Sequence, residues 1–412
     1  MKYGCIGEHL KHSFSKEIHG YLTDYEYEIH EVERERLDDF MVERDFNAIN
    51  VTIPYKELVI PHLYYIDEAA KEIGAVNTVV NRDGLLYGYN TDFYGITRLL
   101  SHAGVTIEGK KVAILGTGGT SKTAMAVAKA LGAREIIRIS RTGREDAVTY
   151  EEFYEKHSDT EILLNTTPVG MFPNIFNTPI DISSFAKLSG VIDTIYNPLR
   201  TPLVMAARAR GIAAEGGLYM LVAQAVRASE RFIDTEYGLG ECDRVYKKML
   251  SDKENIVLVG MPASGKSTVG AILAKATGRR LVDTDTMIVE RAGKEITRIF
   301  AEDGEAEFRR IESECVKDAS AMTSVIIATG GGAILREDNV TALKENGRLY
   351  FIDRPLEKLI PTESRPLSSD RAAIEKRYKE RYDIYCRVAD VRIDADVAAR
   401  TVAERIISDF GL

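Results

Sequence analysis

Cysteine is scarce in this 412-residue chain: Cys5, Cys242, Cys315 and Cys386 lie far apart, with no CxxC pair and no Cys/His cluster. That spacing argues against a zinc site and for reduced thiols. No apolar run approaches the roughly 20 residues that span a bilayer, and the opening Met-Lys-Tyr-Gly-Cys-Ile-Gly has no charged-then-apolar leader pattern, so no membrane partner and a cytoplasmic location are expected. Basic tracts are missing too. With a net charge of −9, nothing clusters Lys and Arg as a phosphate backbone demands, so no nucleic acid is expected and small molecules are the expected partners. All seven histidines precede residue 160, so chemistry in the C-terminal part must rest on Asp, Glu, Lys and Arg. No internal repeat or low-complexity tract is present.

What is there is an ordinary globular composition, 45% hydrophobic and 28% charged, in a chain longer than one core usually supports. Two glycine-rich junctions organise it, each with β-branched residues before it and an alanine-bearing helical pattern after it. The first runs from Lys111-Val-Ala-Ile-Leu115 into Gly116-Thr-Gly-Gly119. The second runs from Asn255-Ile-Val-Leu-Val259 into Gly260-Met-Pro-Ala-Ser-Gly-Lys-Ser267. Between them, the polar stretch from about 234 to 254 has turn residues and little apolar periodicity, which predicts a domain boundary.

Gly116, Gly118 and Gly119 fit a dinucleotide turn, in which missing side chains let amides and a helix N-terminus approach a pyrophosphate. An ordinary tight strand-helix turn would carry the same glycines. The end of the next strand tips the balance: Ser140, Arg141, Thr142 and Arg144 stand where an NAD enzyme carries an acid, and arginine suits a 2′-phosphate. Upstream lie short polar motifs suited to a polyhydroxylated acid: Ser13-Phe-Ser15, Asn50-Val-Thr52-Ile-Pro-Tyr-Lys56, Gly74-Ala-Val-Asn77-Thr78 and Gly88-Tyr-Asn90-Thr-Asp92.

These motifs, with Asn165-Thr-Thr-Pro-Val-Gly-Met171, Asp193-Thr-Ile-Tyr-Asn-Pro198 and Gly217-Leu-Tyr219-Met-Leu-Val-Ala-Gln224, resemble the shikimate dehydrogenase family over residues 1 to 240. The resemblance implies an α/β fold of two lobes: a substrate lobe of about 1–100 plus 217–240, and a Rossmann NADP(H) lobe of 101–216. It implies that Ser13, Ser15, Asn50, Thr52, Asn77, Tyr219 and Gln224 hold the substrate's hydroxyls and carboxylate, and that Lys56 and Asp92 are the catalytic pair. Chemistry supports the pair independently, since ketone reduction needs a proton for the developing alkoxide and a carboxylate can hold the ammonium that gives it. Lys16, Lys122 and Ser140 depart from the family's usual residues.

Gly260-x-x-x-x-Gly265-Lys266-Ser267 is a complete P-loop. Its amides, with Ala263, Ser264, Gly265 and Thr268 in the loop and first turn, would wrap ATP's phosphates; Lys266 would neutralise them and Ser267 would ligate Mg2+. A unit of about 160 residues favours a small kinase over a motor or switch. Downstream come Asp283-Thr-Asp285, Phe308-Arg309-Arg-Ile-Glu312, Thr329-Gly-Gly-Gly332, Ser364-Arg365-Pro-Leu367 and Arg381-Tyr-Asp-Ile-Tyr385, a series that resembles shikimate kinase. By that resemblance 255–412 is a P-loop kinase domain with a parallel sheet, reached through a linker at 241–254. It implies that Asp283 helps hold Mg2+, that Asp285 binds substrate hydroxyls and accepts a proton, and that Arg309 and Arg381 fork the carboxylate. Gly330, Gly331 and Gly332 would let backbone approach the ring, and Arg365 would meet the transferring phosphate from a lid.

The two resemblances share a substrate. Their joint implication is NADPH-dependent reduction of 3-dehydroshikimate to shikimate, followed by ATP-dependent phosphorylation of shikimate's 3-hydroxyl. A quinate-type dehydrogenase beside a sugar-acid kinase, or a fusion in which one half only binds, remain the competing readings.

Overall fold

The computed structural model describes residues 1–412 apart from 9, 11–12, 144–145 and 361–369. The chain divides into two compact units, Met1–Met249 and Leu250–Leu412. Among the described residues no helix is long and apolar enough to cross a membrane.

The first unit holds two sheets. Strands β1 (Tyr3–Gly7), β2 (Tyr27–Glu31), β3 (Ala48–Val51), β4 (Tyr65–Ile66), β5 (Thr78–Arg82) and β6 (Leu85–Tyr89) form a mixed sheet in the order β2-β1-β3-β5-β6-β4. The pairs β3/β5 and β5/β6 are antiparallel, and the rest are parallel. The tight connection Asp83-Gly84 explains the antiparallel β5/β6 hairpin, because parallel neighbours need a long crossover. Helices Thr91–His102 and Leu218–Ile233 pack against each other on this lobe. They approach so closely at Gly95 that a Cβ there would stand 2.9 Å from the Met220 carbonyl oxygen.

The second sheet is wholly parallel: β7 (Lys111–Leu115), β8 (Glu135–Ile139), β9 (Ala147–Val148), β10 (Ile162–Asn165), β11 (Gly190–Asp193) and β12 (Ala213–Glu215), in the order β12-β11-β10-β7-β8-β9. Every residue of β7 and β10 is buried, as expected of central strands covered on both faces. The chain reverses its direction of travel across the sheet between β7 and β10. That switch point opens a crevice at the strands' carboxyl ends, where Gly116 follows β7 and Thr166 follows β10.

The second unit is a five-stranded parallel sheet: β13 (Asn255–Val259), β14 (Arg280–Asp283), β15 (Val325–Ala328), β16 (Gly347–Asp353) and β17 (Val391–Asp394), in the order β14-β15-β13-β16-β17. Its central strand β13 is buried throughout and points into the P-loop. Apolar clusters lie on both faces: Val257, Val259 and Ile327 project to one, Ile256, Leu258 and Ile326 to the other.

The expected linker at 241–254 is instead mostly helix, Glu241–Lys253. Cys242, Val245 and Met249 fall at helical spacing on its buried side. Tyr246 and Leu250, both part-buried, continue this stripe, but seven charged residues among the thirteen mask it in the sequence.

Candidate active sites of the two units

In the first unit, three chain segments converge near the ends of β3 and β5. The turn after β3 carries Lys56, and the first turn of helix Thr91–His102 carries Asp92. Lys56 Nζ stands 2.5 Å from Asp92 Oδ2, with side-chain exposures of 17% and 4%. The helix start is fixed by Asn90, whose carboxamide oxygen accepts from Phe93 N–H while its NH2 donates to the Ala75 carbonyl.

Beside this ion pair runs a continuous polar chain. Tyr27 donates its hydroxyl proton to Asn50 Oδ1 (2.7 Å), and Asn50 Nδ2 donates to Thr78 Oγ1 (3.2 Å). Thr78 Oγ1 and the Thr91 N–H both donate to Asn77 Oδ1, and Asn77 Nδ2 donates to Gln224 Oε1 at 3.2 Å. Asn50, Asn77 and Gln224 are thereby brought together, and Thr52 follows directly after β3. Ser13 and Ser15 flank Phe14 at the start of helix Ser15–Leu22; Ser13 Oγ accepts from Ser15 N–H and donates to Ser15 Oγ.

Tyr219 does not join this group. Its ring is buried, stacked on His102 with centroids 3.9 Å apart, and its hydroxyl donates to Asp243 Oδ1 at 2.7 Å. Tyr219 and Gln224 are five residues apart on one helix, which turns them about 140° from each other, so both cannot face one cleft. The expected substrate role of Tyr219 is therefore withdrawn. The geometry offers Tyr196 instead: its ring centroid lies 5.2 Å from that of Phe14, between the two serines. Burial pushes its hydroxyl pKa up. Tyr196 stood in a motif the sequence had already singled out, but nothing in the pattern separated it from the neighbouring scaffold residues.

Those neighbours are structural. Asp193 is fully buried and accepts from Thr201 Oγ1 (2.7 Å), Ile195 N–H (3.1 Å) and Asn165 Nδ2 (3.0 Å). Burial raises its carboxyl to about 6 despite these donors. The cluster ties the ends of β10 and β11 to the following loop.

The crevice at the switch point fits a dinucleotide. Gly116 has φ 108°, which favours glycine, and a Cβ there would lie 2.9 Å from Thr166 Oγ1. Helix Gly119–Ala130 begins without a side-chain cap, and Cβ positions on Gly118 and Gly119 face open space, so amides and dipole are free to meet a phosphate. Ser140 Oγ accepts from Gly143 N–H and closes the turn after β8, on which Arg141 and Thr142 are exposed. Arg144 lies outside the described residues. Lys122, on the same helix, pairs at 2.7 Å with Glu57, the neighbour of Lys56 in the chain.

In the second unit the P-loop places Lys266 Nζ 2.9 Å from the carbonyl oxygens of both Gly260 and Met261. Ala263 takes φ 63°, a strained conformation for alanine that belongs to the loop's wrap. Ser264 is buried, and Gly265 ends the loop at helix Lys266–Thr277, which again lacks a side-chain cap. Thr268 is exposed on its first turn. Ser267 Oγ donates to Asp283 Oδ2 at 2.8 Å, an oxygen pair suited to a hard divalent ion.

Across from the loop, Asp285 and Glu312 converge on Gly330: a Cβ there would stand 2.8 Å from Asp285 Oδ1 and 3.0 Å from Glu312 Oε1. Glu312 Oε2 accepts from Arg309 Nη1 at 2.6 Å. Burial pushes the Glu312 carboxyl up; Arg309 pulls against this and Asp285 adds to it. The Arg309 guanidinium crowds Gly332, where a Cβ would collide with its Nη1, Nη2 and Cζ. Arg381 Nη1 donates to the Gly331 carbonyl at 3.0 Å, and burial, with the nearby charge of Arg309 adding to it, lowers its pKa. Arg309 also pairs with Glu305 at 3.2 Å, so one guanidinium is balanced by carboxylates and the other is bound to a carbonyl; both are planar donors of the kind that match a carboxylate. Arg310 instead pairs with Glu307 and Glu314 at the surface. Arg365 lies outside the described residues. Glu312 is the residue here that the sequence left without a role; its i+3 spacing from Arg309 was the available signal.

A two-lobed α/β unit with a dinucleotide crevice and a part-buried Lys-Asp ion pair is a dehydrogenase of small polar substrates, and a P-loop unit with two arginines against a glycine turn is a small-molecule kinase. A family model for the shikimate dehydrogenase substrate binding domain matches residues 5–79, and one for shikimate kinase matches residues 262–410. Shikimate dehydrogenase (NADP(+)) of Clostridium beijerinckii is 37% identical over 245 residues, 55% of this chain and 90% of that relative. Among solved structures, shikimate dehydrogenase 1 from Peptoclostridium difficile aligns with TM-score 0.56 at 35% identity over 60% of this chain and 98% of that one. Shikimate 5-dehydrogenase from Thermus thermophilus, solved with NADP(H) and shikimate, aligns with TM-score 0.54 at 26% identity, covering 60% of this chain and 99% of that one. The chain belongs to the shikimate dehydrogenase family through its first unit and carries a shikimate kinase domain in its second, making it a bifunctional shikimate-pathway enzyme.

Proposed function

We propose that the first unit reduces 3-dehydroshikimate to shikimate with NADPH and that the second transfers a phosphoryl group from ATP to the 3-hydroxyl of shikimate. The observation that carries the first half is the Lys56–Asp92 pair, set against the Asn50–Asn77–Gln224 chain. NADPH supplies the hydride when bound over the Gly116–Gly119 turn, with Ser140, Arg141, Thr142 and Arg144 taking the 2′-phosphate. Lys56 gives a proton to the developing alkoxide, and Asp92 holds its ammonium in place. Ser13, Ser15, Asn50, Thr52, Asn77 and Gln224 orient the hydroxyls and carboxylate, and Tyr196 closes the cleft over them.

In the second unit Lys266 and the loop amides hold the phosphates, and Ser267 with Asp283 would hold Mg2+, which neutralises phosphate charge when bound. Asp285 accepts the proton of the attacking hydroxyl. Arg309 and Arg381 fork the carboxylate, Gly330 to Gly332 line the ring, and Arg365 meets the transferring group. The reading places both reactions in the cytoplasm, the compartment that supplies NADPH and ATP. The test is one assay of the full chain with dehydroshikimate, NADPH and MgATP: each ketone consumed should oxidise one NADPH and release one ADP. NADPH left unoxidised, or no ADP formed when shikimate is supplied directly, overturns the corresponding half.

A further inference from the structure

Tyr385 belongs to helix Arg371–Val388, is fully buried, and stacks on Phe351 with ring centroids 5.0 Å apart. Its hydroxyl lies 2.9 Å from the carbonyl oxygen of Gly260 and 2.5 Å from that of Gly331. A phenol has one proton, so it serves one of these carbonyls fully at any moment. Gly260 opens the P-loop, and Gly331 sits in the glycine turn at the proposed shikimate site. Each carbonyl has a second donor: Lys266 Nζ at 2.9 Å on Gly260, and Arg381 Nη1 at 3.0 Å on Gly331. Those second donors are the groups assigned to the phosphates and the carboxylate.

We propose that Tyr385 is a positioning residue whose single hydroxyl proton couples the nucleotide and shikimate sites of the second unit, a reading that rests on the kinase function above. Phosphate oxygens outcompete a carbonyl for an ammonium, so bound nucleotide draws Lys266 from Gly260. The buried Gly260 carbonyl then takes the Tyr385 proton, because leaving it unpaired is costly. Gly331 is left to Arg381 alone, which fixes the guanidinium while its remaining N–H groups stay available for a carboxylate. Nucleotide therefore tightens shikimate, and by reciprocity shikimate tightens nucleotide. One neutral hydrogen bond is at stake, so the coupling factor should be about two- to tenfold.

The experiment measures the MgADP dissociation constant of the full chain by calorimetry, with and without saturating shikimate, in three proteins. The wild type should bind MgADP about two- to tenfold tighter with shikimate. Tyr385→Phe keeps the ring and loses the proton: the ratio should fall to one, and MgADP without shikimate should bind at least about fivefold weaker, because the Gly260 carbonyl that Lys266 leaves then has no donor. In case that variant does not fold, p-aminophenylalanine in place of Tyr385 offers two N–H groups, satisfies both carbonyls together, and should also give a ratio of one. A wild-type ratio of one or below, or a ratio retained in a folded variant, overturns the proposal. Absence of shikimate-dependent ADP production by the wild type would instead defeat the underlying kinase reading, which keeps the two failures distinct.

Discussion

Replacing Lys56 by Met removes one partner of an ion pair whose other member, Asp92, is only 4% exposed at the side chain. Two consequences follow with separable magnitudes. A carboxylate stripped of its counter-charge in such a position destabilises the fold by about 3 kcal/mol, or takes up a proton instead. Loss of the proton donor costs about a hundred- to ten-thousandfold in ketone reduction, equivalent to roughly 3–5 kcal/mol of transition-state stabilisation. A single variant mixes these effects, so the decisive protein is the double variant Lys56→Met/Asp92→Asn, in which no unpaired buried charge remains. Its thermal stability should return to within about 1 kcal/mol of the wild type, while NADPH oxidation stays depressed by at least about a hundredfold. The KM for dehydroshikimate should move only a few-fold, since the asparagine and glutamine chain is untouched. ADP production from shikimate serves as an internal measure that the protein is intact. Turnover recovering together with stability in the double variant would show the pair to be scaffold and refute its role in proton delivery.

Gly332→Ala places a methyl where Arg309 Nη1 now lies; the guanidinium must move, and the kinase KM for shikimate should rise about ten- to a hundredfold with NADPH oxidation unchanged. An unchanged KM would mean that Arg309 does not hold the substrate. Tyr219→Phe removes the bond to Asp243 and should lower stability by about 1 kcal/mol while leaving the dehydrogenase KM within about twofold; a tenfold rise would show that the Tyr219 hydroxyl holds the substrate. Glu345 is fully buried, neither carboxylate oxygen has a hydrogen-bond partner among the described residues, and burial raises its pKa from 4.5 to about 8. The folded state thus holds a proton that the unfolded state releases, so stability falls as pH rises from about 4.5 to about 8. At about 1.4 kcal/mol per pH unit the loss is at most roughly 5 kcal/mol, and Glu345→Gln should remove it. Parallel denaturation profiles of wild type and variant between these limits would contradict this.

Much of the architecture was legible because local rules and global fold agree. Uninterrupted apolar runs such as Ile256–Val259 announce strands covered on both faces, and glycines at fixed offsets announce strand-to-helix turns of the phosphate-binding kind. Lys56 and Asp92 stood out as a candidate pair although 36 residues separate them, and the fold brings their side chains into contact. The helix Glu241–Lys253 was not read as one: its apolar stripe, Cys242, Val245, Tyr246, Met249 and Leu250, is diluted by charged residues, and tertiary contact secures it.

Sequence by itself determined the two glycine-rich turns, the residue types around both candidate sites and the pathway they imply, since each depends on composition at short spacing. Tertiary structure alone decided which of those side chains face the cleft. It turned Tyr219 toward Asp243, set Tyr196 against Phe14, bound Asp193 into the scaffold, and hung two distant carbonyls on the hydroxyl of Tyr385. The physical reason is that a motif fixes what a residue can do, whereas the direction in which it points is set by helix phase and by partners far away in the chain.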